Sequence, residues 1–309
     1  KTMIKLRMPN ISSQKCSHNS SSDNIISNIE SISKESLKPG LYIISTPIGN
    51  LEDITLRALR ILQSVDFIAC EDTRHSKIML DKLGIFKPLV PYFDEEEQKR
   101  APQIIERIKA GTSCALISDA GTPIICDPGF KLVELAQTAE IYLTSIPGAC
   151  SPVAALTLAG IAPLPFIFLG FVPEKKASQT KFWQKFATLE ATLVAFETSR
   201  RLISCLTDMK EVLGDRTVGV VREITKLFEE TKKASVSELI EYYEKNPPKG
   251  EIVLVVEGAK NSALTSQAIE SELRTLLKDH SLKDASTILA QAHGMERKSI
   301  YQLGLKIKD

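Results

Sequence analysis

Short apolar runs that stop at glycine, proline or small polar residues recur from Leu41 onwards, and they constrain the fold more than any other feature. Stretches with apolar residues at helical spacing separate the runs. This alternation is typical of α/β domains, because a crossover helix usually joins two parallel strands. The first predicted strands are residues 41–45, 66–70, 114–118 and 141–145.

Two segments between these strands predict crossover helices. The first starts at Thr55, just after Asp53, and has apolar residues at helical spacing. The second runs from Asp94 to Ala110, opens with four acidic residues and stops before a glycine. Acidic residues favour the first turn of a helix, where they face the positive end of its dipole.

A proline-rich passage at residues 161–166 divides the chain and predicts a second α/β unit from Phe166 to about Gly258. Its expected strands are residues 191–196, 217–221 and 251–256, and its expected helices are residues 199–213 and 235–244. The remaining chain predicts helices ending near Lys278, Ala292 and Lys306, a helix-turn-helix-like appendage.

The first residues differ in composition from the rest. Residues 11–36 contain ten serines and few large apolar side chains, which predicts a disordered leader. The expected organisation is a leader at 1–38, an N-terminal α/β domain at 39–162, a C-terminal α/β domain at 163–260 and a helical appendage at 261–309.

Composition and missing motifs exclude several classes of function. The formal net charge is +1, so any nucleic-acid surface must be local. The chain lacks the dinucleotide fingerprint GxGxxG, the P-loop and the serine-hydrolase motif GxSxG. The six cysteines and four histidines do not have the spacing of metal ligands, so we expect no metal. No apolar stretch is long enough to span a membrane.

Four predicted strands of the first domain are followed by polar, glycine-containing turns. In open parallel sheets, ligands bind at the carboxyl ends of the strands. Turns of this kind bring backbone groups close to a ligand, which suits a nucleoside or amino-acid cofactor. The turns are Ser-Thr-Pro-Ile-Gly-Asn-Leu at 45–51, Glu-Asp-Thr-Arg-His-Ser at 71–76, Ser-Asp-Ala-Gly-Thr-Pro at 118–123 and Ser-Ile-Pro-Gly-Ala-Cys-Ser-Pro at 145–152.

These turns, in this order, resemble the tetrapyrrole methylase superfamily, and specifically its branch of small-subunit ribosomal RNA 2′-O-methyltransferases. Further matching segments are Asp-Pro-Gly at 127–129, Arg-Glu-Ile-Thr-Lys at 222–226 and Lys-Gly-Glu-Ile-Val-Leu-Val-Val-Glu-Gly at 249–258. The resemblance implies two α/β domains with an S-adenosyl-L-methionine cleft between them and a small C-terminal helical appendage.

The resemblance also implies a function and partners. The implied function is methylation of the ribose 2′-hydroxyl of a cytidine in 16S rRNA. The implied protein is a homodimer that acts on the small ribosomal subunit, in the cytoplasm and not at a membrane. DNA is excluded as substrate because it lacks the accepting hydroxyl. The cofactor residues carried over are Pro47, Gly49, Asp119, Ala120, Gly121, Thr122, Pro147, Gly148, Cys150 and Ser151.

The chain departs from the family pattern in two places. A Pro-Gly-Pro loop common in the family is Pro-Gly-Ala at 147–149 here, and a histidine common in the family's Glu-x-x-His-Arg segment is replaced in Glu-Thr-Ser-Arg-Arg at 197–201. These changes bear on the shape of the cofactor loop and on any role of that histidine.

Candidate catalytic residues follow the second strand. A 2′-hydroxyl is a poor nucleophile, so a carboxylate or imidazole could accept its proton, and Glu71, Asp72 and His75 are the candidates. The alternative is that the acids cap the next helix and that the histidine is a surface residue.

Basic residues supply candidate contacts to RNA, phosphate or the cofactor carboxylate. They are Arg74, Arg200, Arg201, Arg222 and Lys298, the last within C-terminal helices that carry six Lys/Arg against three Asp/Glu over residues 278–308. For Arg222 the alternative is an ion pair with Glu223, and for the C-terminal helices it is a solvated face.

Two other functions remain open at this stage. A precorrin-type tetrapyrrole methyltransferase would share the cofactor loops and differ in the acceptor cavity. A non-catalytic RNA-binding assembly module would keep the fold without binding the cofactor, and the altered loop at 147–149 is the feature that invites this alternative.

Overall fold

The computed structural model describes residues 37–259, 266–293 and 296–308. Residues 1–36 of the leader predicted at 1–38, and the glycine at 294, lie outside these ranges. The chain divides into two compact units between Cys150 and Ser151. The boundaries expected at 162/163 and 260/261 stay predictions.

The first unit has a parallel sheet with helices on both faces, as predicted. The strand order is β3-β2-β4-β1-β5, and every pairing is parallel. The strands are β1 (Gly40–Ile44), β2 (Phe67–Cys70), β3 (Leu89–Pro91), β4 (Ser113–Ile117) and β5 (Leu143–Ile146). The helices are α1 (Leu56–Ser64), α2 (Thr73–Lys82), α3 (Glu97–Lys109) and α4 (Phe130–Thr138). The short strand β3 was not predicted.

Alternating residues of the central strands build two separate cores. Ile68 and Ala115 face α1 and α2, whereas their neighbours Phe67 and Cys114 face α3 and α4. Successive side chains of a strand point to opposite faces, so a strand that is covered on both sides must be apolar throughout. This requirement explains the continuous apolar runs in the sequence.

Side-chain caps set the starts of two helices that lead away from strand ends. The Thr55 hydroxyl accepts a hydrogen bond from the Ala58 N–H at the start of α1, and Asp72 accepts one from the Arg74 N–H at the start of α2. The helix expected from Asp94 begins at Glu97, after a 3-10 turn at Asp94–Glu96.

The second unit has a mixed sheet of order β6-β7-β10-β8-β9, in which β6 and β7 are parallel and the other pairs antiparallel. The strands are β6 (Phe166–Phe171), β7 (Thr192–Thr198), β8 (Thr217–Arg222), β9 (Glu230–Ser235) and β10 (Glu251–Val256). The helices are α5 (Ser151–Leu158), α6 (Lys176–Gln184), α7 (Leu202–Leu213) and α8 (Val236–Lys245). Sequence reasoning missed β9 because this edge strand, Glu-Thr-Lys-Lys-Ala-Ser, is polar.

The predicted C-terminal helices are confirmed as α9 (Ser266–Leu276), α10 (Leu282–His293) and α11 (Arg297–Lys308). They share a small core of their own, formed by Ile269, Leu273, Leu282, Ala285, Leu289 and Ile300. Within the ranges given above, no helix combines the length and the apolar character that crossing a bilayer requires.

The core of the second unit supplies a stability test. Leu254 lies fully buried on the central strand β10, and we expect Leu254→Ala to lower the free energy of unfolding by about 2–5 kcal/mol, because truncation leaves a cavity. Trp183 is the only tryptophan and is buried in the same core, so its fluorescence during urea unfolding reports this unit.

The matched control is Leu227→Ala, a leucine with 90% of its surface exposed. We expect this substitution to change the free energy of unfolding by no more than about 0.5 kcal/mol. Equal urea midpoints for the two variants would contradict the burial of Leu254.

Candidate functional site

The carboxyl ends of the parallel strands gather the predicted polar turns at one edge of the first sheet. Strands β1, β2 and β4 end at Ile44, Cys70 and Ile117, directly before the first three turns, and β5 ends at Ile146, the second residue of the fourth. Since β4 pairs with both β2 and β1, and β1 pairs with β5, the four turns lie side by side.

Backbone hydrogen bonds join the turns that follow β1 and β4. The Thr46 N–H donates to the Gly121 carbonyl at 2.8 Å, and the Gly121 N–H donates back to the Thr46 carbonyl at 3.1 Å. The Thr46 hydroxyl donates to the Ser118 carbonyl at 3.2 Å. Gly121 has φ +81°, a conformation that glycine adopts without strain. These contacts fix the turn that contains the candidate residues Asp119–Thr122.

A chain of hydroxyl groups extends this network to the turn after β5. The Thr122 hydroxyl donates to the Ala149 carbonyl at 3.2 Å and lies 3.0 Å from the Ser45 hydroxyl, which can donate to it. Gly148 packs against Ser45 so closely that a Cβ atom would lie 3.0 Å from the Ser45 Cβ. The contact uses the backbone carbonyl of residue 149, a group that alanine and the proline of the family pattern both have.

The turn after β2 joins the network through Asp72. Its N–H donates to Asp119 Oδ1 at 3.4 Å. Its carboxylate accepts hydrogen bonds from the Arg74 backbone N–H at 2.8 Å and from the Arg74 guanidinium at 2.8 and 3.2 Å. These bonds hold the pKa of Asp72 well below its usual range, so this carboxylate is a weak proton acceptor.

Glu71 and Asp127 have the opposite electrostatic character. Burial raises the pKa of Glu71, and the nearby carboxylates of Asp119, Asp127, Asp94 and Asp72 raise it further. Burial also raises the pKa of Asp127 to about 6, with Asp119 and Asp94 adding to the effect and a hydrogen bond with Ser118 opposing it. A carboxylate with a raised pKa is a better base at neutral pH than an ordinary one.

Sequence reasoning did not name Asp127 as a site residue, although the Asp-Pro-Gly segment that contains it was noted. Its loop holds two residues other than glycine with positive φ, Ile124 at 77° and Cys126 at 68°. Such conformations cost energy and persist only where the surroundings enforce them. Glu97 provides one restraint, because its Oε1 accepts hydrogen bonds from the Gly129 N–H at 2.6 Å and from the Tyr92 hydroxyl at 3.1 Å.

The other predicted residues of the first unit differ in exposure. Pro47 is buried, and Gly49, Ala120, Pro147 and Gly148 are exposed. His75 is an exposed residue in the first turn of α2. The Arg74 side chain is 90% exposed and paired with Asp72. Among the described residues, no group of three or more histidine, cysteine or acidic side chains could hold a metal ion.

The remaining candidates belong to the second unit. Ser151 is the first residue of α5, Arg200 and Arg201 lie between β7 and α7, and Lys298 is an exposed residue of α11. Arg222, at the end of β8, forms an ion pair of 2.7 Å with Glu230 across the β8–β9 ladder. The alternative pairing with Glu223 is therefore wrong, because Glu223 pairs with Lys226 at 3.0 Å.

Comparison with protein families identifies two segments. Residues 40–240 match the tetrapyrrole (corrin/porphyrin) methylases. Residues 264–308 match the family described as the RsmI C-terminal HTH domain.

Solved structures of low sequence identity share the fold. Diphthine synthase is 14% identical with a TM-score of 0.54, covering 70% of this chain and 89% of that one. The uroporphyrin-III-C-methyltransferase of Thermus thermophilus is 20% identical with a TM-score of 0.50, covering 70% of this chain and 93% of that one.

Two curated relatives that are much closer in sequence carry the name ribosomal RNA small subunit methyltransferase I. The protein of Rickettsia prowazekii is 48% identical over 222 residues, 72% of this chain and 79% of the relative. The protein of Haemophilus influenzae is 41% identical over 272 residues, 86% of this chain and 96% of the relative. The chain therefore belongs to the tetrapyrrole methylases and, within them, to the ribosomal RNA small subunit methyltransferase I family.

Proposed function

We propose that the chain is an S-adenosyl-L-methionine-dependent methyltransferase that methylates the ribose 2′-hydroxyl of a cytidine in 16S rRNA. The observation that carries the proposal is the hydrogen-bonded set of turns at the carboxyl edge of the first sheet, in a chain of this family. The proposed substrate also implies a cytoplasmic location, and the family resemblance a homodimer.

The chemistry of the turns fits the cofactor. They offer exposed backbone at Gly49 and Gly148, and a cluster of carboxylates around Asp119 that favours a cationic ligand. S-adenosyl-L-methionine supplies a methyl group on a positively charged sulfonium, so its transfer needs little covalent chemistry from the protein. We assign cofactor binding to Pro47, Gly49, Asp119, Ala120, Gly121, Thr122, Pro147, Gly148, Cys150 and Ser151.

The residues of this chain have two remaining tasks, to orient the acceptor and to receive its proton. Orientation alone can supply much of the rate of an in-line displacement. For the proton we favour Glu71 and Asp127 over Asp72, because the bonds to Arg74 stabilise the charged form of Asp72. His75 remains a candidate on its position alone.

The RNA branch is favoured over a tetrapyrrole substrate by two observations. The curated relatives that cover most of the chain are named for ribosomal RNA, and the C-terminal helices match a helix-turn-helix family of the same branch. We propose Arg74, Arg200, Arg201, Arg222 and Lys298 as RNA or phosphate contacts. The ion pairs of Arg74, Arg201 and Arg222 make these three weaker candidates than Arg200.

The central test supplies the purified chain with small ribosomal subunits and tritiated S-adenosyl-L-methionine. We expect label in the deproteinised 16S rRNA, at the 2′-oxygen of a cytidine. Label in a tetrapyrrole offered in parallel, with none in RNA, would support the tetrapyrrole alternative. The absence of binding heat in a calorimetric titration with the cofactor would support the non-catalytic module.

The raised pKa of Asp127 predicts a pH dependence. A carboxyl with a pKa of about 6 accepts a proton only when it is ionised, so the single-turnover rate should fall about tenfold per pH unit below pH 6. We expect Asp127→Asn to slow the reaction at neutral pH and to remove this acidic limb. Single-turnover rates from about pH 5 to about pH 8 measure both effects.

The control for this experiment is Glu106→Gln, a change to an exposed carboxyl on α3 outside the cluster. It should keep the wild-type rate and pH profile. An Asp127→Asn enzyme with an unchanged acidic limb would exclude Asp127 and leave Glu71 as the group to test by Glu71→Gln.

The hydroxyl of Thr122 predicts an effect on cofactor affinity. Thr122→Val keeps the side-chain shape but removes the hydrogen bond to Ala149, so the turn after β5 should be held less firmly. Loss of one hydrogen bond predicts about a three- to tenfold higher Kd for S-adenosyl-L-methionine by calorimetry. Thr138→Val, which removes an exposed hydroxyl bond to Glu134 on α4, should leave this Kd unchanged, and equal values for the two variants would contradict the prediction.

A further inference from the structure

The second unit contains a cavity of about 720 Å³ that the proposed cofactor residues of the first unit do not line. The cavity lies where β6 and β7 end, and its volume falls within the range of small-ligand sites. The lining residues are Phe171, Val172, Pro173, Glu174, Thr198, Ser199, Arg200 and Arg201.

A buried ion pair holds this cavity in shape. Glu197 Oε1 accepts a hydrogen bond from the Thr198 N–H at 2.6 Å and forms an ion pair of 2.6 Å with Arg201 Nη2, and the Glu197 side chain is fully buried. Arg201 Nη2 also donates to the Val172 carbonyl at 3.1 Å, which ties the turn after β7 to the end of β6. These contacts give Arg201 a structural role, although its Nη1 atom is buried without a hydrogen-bond partner among the described residues. We therefore look for ligand recognition among the exposed groups of the wall.

Three other groups of the wall are available to a ligand. Arg200 and Glu174 are exposed, and neither has a hydrogen-bond or ion-pair partner in the described part of the chain. Phe171 is 57% exposed although it is a large apolar side chain, and its ring contacts that of Phe196 at 5.1 Å between centroids. The cavity thus combines an aromatic face, a free guanidinium and a free carboxylate.

We infer that this cavity binds one unstacked nucleotide of the RNA, with a base that carries an exocyclic amine, as cytosine does. An aromatic side chain provides a stacking face for an unpaired base. A guanidinium binds phosphate oxygens, and a carboxylate accepts a hydrogen bond from the cytosine N4 amine. Uracil has no such amine, so Glu174 would select against it.

The inference rests on the proposed function, because it assumes that the substrate is single-stranded RNA. It assigns a different role to each of the three groups. Phe171 contributes affinity for any base, Arg200 contributes a salt-dependent contact to phosphate, and Glu174 contributes the preference for an amine-bearing base.

The test measures the binding of fluorescently labelled oligocytidylate and oligouridylate of equal length to the full chain by anisotropy. We expect wild type to bind oligocytidylate about fivefold or more tightly, and Glu174→Ala to lose this preference. Phe171→Leu, which keeps an apolar side chain without the ring, should weaken both oligomers by about fivefold or more. Arg200→Ala should weaken both and reduce the slope of log Kd against log salt concentration by about 0.7.

Matched controls are exposed residues of the same types that do not line the cavity. They are Phe86→Leu, Arg57→Ala and Glu241→Ala. We expect these variants to bind both oligomers as wild type does, with the same salt slope.

Two results would overturn the inference. One is a wild-type chain that binds the two oligomers equally or binds neither, and the other is a set of cavity variants with wild-type affinities. The tritium assay separates this outcome from failure of the proposed function. If wild type and the cavity variants label 16S rRNA equally well, only the cavity assignment fails, whereas a wild-type chain that labels no RNA removes the proposed function itself.

Discussion

The candidate site depends on the parallel pairing of β4 with both β1 and β2. Parallel strands bring their carboxyl ends to one edge of the sheet, so turns that are far apart in sequence become neighbours. The paired backbone bonds between Thr46 and Gly121 then lock two of these turns together, and the Thr122 hydroxyl adds the third. Without this network, each turn would be an ordinary strand-to-helix connection.

Electrostatics differ sharply between neighbouring carboxyl groups at this edge. Asp72 caps a helix and binds a guanidinium, and both contacts stabilise its charged form. Glu71 and Asp127 are partly buried beside other carboxylates, so their charged forms are destabilised. Asp72 is therefore a structural acid, whereas Glu71 and Asp127 are candidate bases. Residue type alone does not indicate this difference.

In the second unit, a buried ion pair takes the place of the backbone hydrogen bonds that join the turns of the first. A buried pair between Glu197 and Arg201 spans the turn after β7, and the arginine also contacts the end of β6. The pair holds the Arg201 side chain largely buried, whereas the adjacent Arg200 is exposed on the wall of the cavity. The segment keeps the glutamate and the final arginine of the family pattern, and these two residues form the ion pair at the cavity.

Periodicity in the sequence determined the α/β class and the C-terminal helices. It also determined the four strands of the first sheet whose ends carry the turns, because burial on both faces of a sheet demands continuous apolar runs. It also located the turns, since glycine and proline interrupt those runs. It missed the short strand β3, the polar edge strand β9 and the role of Asp127, and it left open whether Arg222 contacts a ligand or pairs with Glu223, whereas Arg222 pairs with Glu230. Only the tertiary structure decided these points, because hydrogen-bond partners, burial and the neighbours that shift a pKa depend on residues brought together by folding.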